Sequence, residues 1–431
     1  MAFLLTFKLP LLPLYTLAIY LYMFGIGIAA IFNRRARQLA IGHRKAFFHL
    51  HRHIDPKARY VWFHAASLGE FEQGRPLMER LRREHPELKI LLTFFSPSGY
   101  EVRKKWDGAD VICYLPLDTP ANVRLFFHFV RPVALYLIKY EFWQNYLKGC
   151  RRLNIPVYSV SSIFRPNQIF FRWYGRHGYA HVLDKVTYFF VQNEQSRQLL
   201  ASLGHTENVS VVGDTRFDRV LDIRDAAKPL PLVESFAKDA DVFVAGSSWP
   251  PDEALFIPWF LRRTADVSRT KALKLIIAPH LIGESHLREI EGALSGRHVL
   301  RYSHATPENV VHADVLIIDC FGLLSSIYRY GLLAMVGGGF GQGIHNVPEA
   351  AVYGIPVLIG PNNGNFREAR HLIDVGAAFE VHDADDFCSA ADRLLSDTAA
   401  YSHAAEAAAQ YITGNAGATE AIYRATIATL I

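Results

Sequence analysis

Glu70 closes a run of small residues, His64-Ala65-Ala66-Ser67-Leu68-Gly69-Glu70, that follows a β-rich stretch at 59–63 and leads into a helical one. A carboxylate at a strand end, beside a glycine-bearing turn, can take the proton of a hydroxyl nucleophile. Ser67 and Glu70 also spell the S/T-x-x-E capping box, in which the two side chains serve only the helix start. The residue types leave both readings open.

A second chemical stretch runs from Val336 to Ala351, with five glycines among residues 337–343, including Gly341 and Gly343, and with Asn346 and Glu349 beyond them. Backbone N–H groups of such a loop can meet a phosphate at a helix N-terminus. Glu349 would accept ribose hydroxyls or simply favour the helix dipole. The glycines do not fit G-x-G-x-x-G, and the chain holds no G-x-x-x-x-G-K-[ST], which excludes dinucleotide and P-loop readings. Gly246-Ser247-Ser248 ends another β-rich run and offers hydroxyls and N–H groups to phosphate, or an N-cap through Ser248. His280, after the next such run, adds a potential cation. Asp383-Ala384-Asp385 and the histidines His43, His49, His51 and His53 resemble metal patterns. The first reads as a helix cap, and the second lacks carboxylate or cysteine partners at usable spacing and reads as a basic collar.

The elements that must position these groups alternate. β-rich runs at 59–63, 89–94, 110–115, 132–138, 156–160, 187–191 and 209–212 are separated by helical stretches. The rhythm restarts at 241–245, 274–278, 298–302, 314–318, 332–336 and 356–360. Such alternation predicts two α/β domains, each a doubly wound parallel sheet, facing a cleft that holds the site. The expected boundaries are a membrane-anchor helix over 1–33, a basic juxtamembrane segment over 34–58, an N-terminal Rossmann-like domain over 59–225 and a C-terminal Rossmann-like domain over 240–431.

At 431 residues the chain is too long for one ordinary core. A net charge of +5, spread along the sequence, does not argue for nucleic acid. Four separated cysteines give neither a disulfide framework nor a zinc knuckle and point to a reducing compartment. Residues 9–32 carry no charge and 14–32 are nearly all apolar or aromatic; Arg34, Arg35 and Arg37 follow at once. That length can span a bilayer or lie in one leaflet, and the arginines would keep the bulk of the chain cytoplasmic.

Taken in order, these motifs resemble those of the 3-deoxy-D-manno-octulosonic acid (Kdo) transferases of lipid A biosynthesis. The likeness rests on His64 to Glu70, on Glu141-Phe142-Trp143-Gln144-Asn145, on Val212-Gly213-Asp214, on Gly246-Ser247-Ser248, on Gly343-Ile344-His345-Asn346 through Glu349, and on Asn365-Phe366. It implies a GT-B fold, a cytidine monophosphate (CMP)-Kdo donor, a lipid A precursor acceptor, an inverting transfer at the inner membrane and no metal or other cofactor. It also implies that Glu70 is the base, with Ser67 and Gly69 shaping its turn. Lys139 and Glu141 match an acceptor- or donor-contacting E-x-E-x-W-P-N segment in which Lys139 replaces the first acid and Gln144 the proline. Gly246, Ser247 and Ser248 match a turn near the donor phosphate, and Asn346 and Glu349 a segment that holds the nucleotide. The basic R-H-P-E-R is reduced to Pro279-His280-Leu281. A GT-B enzyme using a uridine diphosphate (UDP) sugar and a non-catalytic nucleotide-binding membrane scaffold are the alternatives.

Overall fold

The computed structural model describes residues 11–265, 271–341 and 343–431, apart from the side chains of residues 11–13 and His177. The chain forms two compact units, one running to Arg219 and taking in Ala416–Ile431, the other Val220–Asn415.

In the first unit seven strands, β1 (Tyr60–Ala65), β2 (Lys89–Phe94), β3 (Val111–Tyr114), β4 (Pro132–Ile138), β5 (Val157–Ser162), β6 (Tyr188–Val191) and β7 (Val209–Val211), lie in the order β3-β2-β1-β4-β5-β6-β7. All pairs are parallel. Every residue of β1 is buried, as a strand covered by crossover helices on both faces must be. The second unit repeats the plan with β8 (Ala240–Ser248), β9 (Ala272–Pro279), β10 (Val299–Arg301), β11 (Val315–Ile317), β12 (Leu333–Val336), β13 (Val357–Ile359) and β14 (Ala378–Glu380). Their order is β10-β11-β9-β8-β12-β13-β14, again all parallel. The winding reverses between β1 and β4 in one sheet and between β8 and β12 in the other, and ligands of such sheets bind at these switch points. The two doubly wound units give the expected GT-B type of fold.

Three sequence-based boundaries shift. β8 continues through Gly246, Ser247 and Ser248, which were assigned to a turn, because a register shift at Ser247, with its φ of 52°, lets the strand pass to Ser248. β14 is a three-residue edge strand, too short to carry a periodic signal. The last residues, assigned to the second domain, return to the first. Helix Ala418–Thr426 buries Ile422, Thr426 Oγ1 accepts from the Tyr136 hydroxyl at 2.7 Å, and Asp218 accepts from the Gly417 and Thr419 N–H groups.

At the N-terminus α1 (Leu11–Phe32) and α2 (Arg34–His53) meet at Asn33, whose side chain accepts from Arg35 N at 2.8 Å and Ala36 N at 3.3 Å. The span Leu14–Phe32 is long and apolar enough to cross a membrane, with 11% of it buried. Leu14, Leu17, Leu21, Phe24, Ile28 and Ile31 form an exposed stripe at helical spacing, while Ile19 and Ile26 on the opposite face are buried. The segment read as a solvated collar is instead an amphipathic helix. His43, Ala46 and Leu50 of α2 are buried and Phe47 packs on the core of the first unit.

Candidate functional site

The first switch point gathers two carboxylates. Glu70 lies in the first turn of α3 (Leu68–Glu84), which follows β1, and Glu141 lies in the segment that follows the neighbouring β4. Glu70 is buried and folds back so that its Oε2 accepts the Ala66 N–H at 2.5 Å. Only half of a capping box results, since the Ser67 side chain makes no cap bond. Gly69 beside it is exposed, and a Cβ there would meet nothing within 4 Å, so the turn is open to a ligand. Burial raises the Glu70 pKa, against the Ala66 and Ser67 N–H groups and the Lys139 charge, which lower it. Glu141 is pushed up to about 7 by burial and by the charge on Glu70. Lys139, directly after β4, lies in the left-handed region, φ 64°, and its carbonyl accepts the hydroxyls of Ser159 at 3.1 Å and Ser162 at 2.5 Å on β5. A non-glycine residue held there stores strain of a kind that concentrates at functional sites.

The surroundings fix this arrangement. Trp143 Nε1 donates to His64 Nε2 at 3.2 Å, and His64 Nδ1 lies 2.9 Å from Thr93 Oγ1 and 3.1 Å from Thr93 O. Fully buried, His64 is lowered to about 3 and stays neutral. The Val212-Gly213-Asp214 motif is a structural tie. Asp214 accepts from Gln73 Nε2 of α3 at 2.8 Å and from Gln192 Nε2 at 3.0 Å, which orients the helix that carries Glu70.

In the second unit the groups singled out in the sequence collect at the carboxyl ends of β8, β9, β12 and β13, but several are already engaged. Ser248 is buried and donates to Glu253 Oε1 at 2.9 Å, with Glu253 Oε2 2.8 Å from His286 Nε2; it is neither an N-cap nor free for phosphate. Gly246 is required by packing, because a Cβ would strike the Tyr328 hydroxyl. Ser247 keeps the strained backbone and is half-buried. In the glycine loop the N–H groups of Gly341 and Gly343 bond to Gly338 O and that of His345 to Gly337 O, while Gly338 N donates to Asp252 Oδ2 at 2.9 Å. The loop thus spends much of its donor capacity on its own shape. Gly341 alone among the described loop glycines has open space around it, and Gly343 needs its φ of 101°. The helix expected after it is the single turn Pro348–Ala351, which weakens the dipole argument. Asn346 is exposed and donates through Nδ2 to Glu349 Oε1 at 2.6 Å; Asn365 is exposed.

Two residues in this unit were not foreseen. Trp249 stacks on His280 at 4.6 Å, His280 stacks on His345 at 4.4 Å, and Trp249 Nε1 donates to His345 Nε2 at 3.2 Å. His345 is lowered by burial and by His280, so its accepting Nε2 leaves the proton on Nδ1. Asp252 Oδ2 joins the β8 and β12 ends by accepting also from Trp249 N at 2.9 Å. The D-x-D residues behave as a cap: Asp383 Oδ1 accepts the Asp385 and Asp386 N–H groups at 3.0 and 2.9 Å. Among the described residues no group of three or more His, Cys, Asp or Glu side chains could hold a metal.

Comparison with known proteins gives a consistent likeness. Residues 40–219 match the family model described as 3-Deoxy-D-manno-octulosonic-acid transferase (kdotransferase). The 3-deoxy-D-manno-octulosonic acid transferase of Aquifex aeolicus is 28% identical over 78% of this chain and 86% of its own length. That of Bordetella pertussis is 28% identical over 84% and 86%, and that of Haemophilus influenzae 25% over 92% of both. In fold the chain is similar to UDP-GlcNAc 2-epimerase from Neisseria meningitidis, with a TM-score of 0.58, 15% identity and coverage of 86% of this chain and 100% of that one. The enzyme from Methanocaldococcus jannaschii gives 0.55, 14%, 86% and 99%. The resemblance read from the motifs therefore extends over most of the chain.

Proposed function

We propose that this chain, a glycosyltransferase similar over most of its length to the Kdo transferases, moves Kdo from CMP-Kdo to a lipid A precursor in lipopolysaccharide biosynthesis, with inversion and without a metal. The observation that carries the reading is the pair Glu70 and Glu141 at the switch point of the first sheet, beside an approach left open at Gly69.

A sugar hydroxyl is a weak nucleophile at neutral pH, so a carboxylate must remove its proton as the new bond forms. Glu70, raised by burial against the opposing pull of the Ala66 N–H, the Lys139 charge and the Ser67 N–H, suits that role. The acceptor oxygen bonds to the anomeric carbon of Kdo while the bond from that carbon to the phosphate oxygen breaks. CMP departs with the electron pair as a phosphate monoester dianion, and no general acid is needed to protonate it. In the second unit the Nδ1–H of His345, His280 and Ser247 are the groups suited to meet such a charge, and Asn346 and Glu349 suit the nucleoside. The exposed apolar stripe of α1, with Arg34, Arg35 and Arg37 beginning α2, would seat the chain on the cytoplasmic face of the inner membrane next to its lipid acceptor.

Mass spectrometry of the lipid formed from CMP-Kdo and a lipid A precursor, with release of CMP, tests the proposal. A mass gain of Kdo residues supports it. Turnover of a UDP-sugar instead would reassign the donor, and nucleotide binding with no product from either donor would make the protein a scaffold.

A further inference from the structure

Asp118 is almost fully buried in the loop after β3, outside the segment that carries Glu141. Both of its carboxylate oxygens are used. Oδ1 accepts the Tyr146 N–H at 2.9 Å, and Oδ2 accepts the Asn145 N–H at 2.9 Å and the Tyr15 hydroxyl at 2.7 Å. Its carbonyl takes Asn145 Nδ2 at 2.6 Å. Helix Gln144–Arg152 has no cap of its own, because its N-cap residue is Trp143. Asp118 supplies the missing acceptors from a distant loop and so fixes where that helix starts. The residues just before the start are Glu141, Phe142 and Trp143.

Tyr15 belongs to α1, and it touches this segment a second time. Its ring stacks on Tyr179 at 6.0 Å, and the Tyr179 hydroxyl donates to the Phe142 carbonyl at 3.2 Å. Trp143 in turn reaches His64 on β1. A continuous path of hydrogen bonds and ring contacts therefore leads from the apolar helix through Tyr15, Asp118 and Tyr179 to the Glu141–Trp143 segment. The Tyr15 hydroxyl also accepts the Gln144 N–H at 3.4 Å, and Ile19 and Ile26, on the same face of α1 as Tyr15, are buried, so the helix is packed on the first unit beyond these bonds.

We infer that Asp118 and Tyr15 are positioning residues for the transfer reaction: through them the apolar N-terminal helix sets the place of Glu141 and Trp143, so that seating of the helix and geometry of the acceptor-side site are coupled. The inference rests on the transferase reading above. It gives α1 a role that a plain tether would not have. A tether only concentrates the protein near its lipid, whereas a helix bonded to the keystone of the site alters the reaction when that bond is lost. Catalytic groups displaced by an ångström lose large factors in rate, so a single hydroxyl at this joint has a measurable effect.

The test uses the full chain in lipid vesicles. Tyr15→Phe keeps the ring on Tyr179 and removes only the hydroxyl; Asp118→Asn replaces one acceptor oxygen with a donor. Transfer kinetics, thermal midpoint and the indole N–H resonance of Trp143, assigned with Trp143→Phe, are read together. We expect Tyr15→Phe to lower kcat about tenfold with little change in KM for the nucleotide sugar, in membrane partition or in midpoint, and to shift the Trp143 resonance. Asp118→Asn is expected to do the same more strongly. An unchanged kcat and an unmoved Trp143 resonance in Tyr15→Phe would overturn the coupling, as would a loss confined to membrane partition, which belongs to a tether. If the unsubstituted chain transfers nothing from CMP-Kdo, the functional reading fails on its own, and the Trp143 resonance still decides whether Tyr15 positions the segment.

Discussion

Trp143 and His64 are joined across two strands: the indole N–H of Trp143, beyond β4, donates to the Nε2 of His64 on β1 at 3.2 Å. Because burial holds His64 neutral, with its pKa lowered to about 3, this nitrogen remains an acceptor throughout the working pH range. The bond ties the ends of the two strands that carry the carboxylates, of which Glu70 is raised by burial and Glu141 is pushed up to about 7.

Glu70→Gln separates base from cap. Glutamine keeps the size and one acceptor for the Ala66 N–H, so loss of capping would cost about 1 kcal/mol of stability, whereas loss of a general base costs ~10²–10⁴ in rate. The expected variant is folded, binds CMP and scarcely transfers. Near-normal turnover with a lowered thermal midpoint would return Glu70 to the helix start.

Glu141 makes stability depend on pH in a direction that can be stated in advance. Its pKa is raised by burial and by Glu70, so the fold favours the neutral carboxyl. That contribution is fully present below the ordinary value of 4.5 and is lost as pH rises through about 7. Replacing it with the always-neutral glutamine, Glu141→Gln, should change stability little at about pH 4 and raise it at about pH 8, by up to about 3 kcal/mol. Thermal denaturation at the two pH values measures the difference, and a larger gain at the acid end would reverse the assignment.

Removing residues 1–33 should release the protein from membranes while both sheets persist, since every strand among the described residues lies beyond α2. Fractionation and circular dichroism follow the two outcomes. An insoluble, unfolded truncation would make α1 part of the core. Turnover of the soluble form should fall below that of the full chain in detergent, because Tyr15 leaves with the helix.

Transfer should withstand chelation. The phosphate-facing groups proposed in the second unit are donors, and Asp383 is occupied as a helix cap. Activity abolished by EDTA and restored by magnesium or manganese would require carboxylates at the donor phosphate and would bring Asp383 and Asp385 back into consideration.

Local patterns made much of this protein legible before any coordinates. Buried parallel strands are short apolar runs bounded by turn residues, so thirteen of the β-rich stretches fall on observed strands, and the small-residue turn before Glu70 lies at a strand end as its composition requires. Asp383, read as a cap, likewise acts within a few residues of itself. What only the tertiary structure decided depends on partners far apart in the chain. Ser248 and the backbone of the glycine loop looked free for phosphate, yet Glu253, Asp252 and the loop itself use them. Residues 416–431 follow the second unit in sequence and pack on the first, because Ile422 and Thr426 fit beside Tyr136. Asp118 carried no motif signal at all; its meaning comes from Tyr15, 103 residues away, and from a helix start 27 residues on, contacts that no periodicity or spacing encodes.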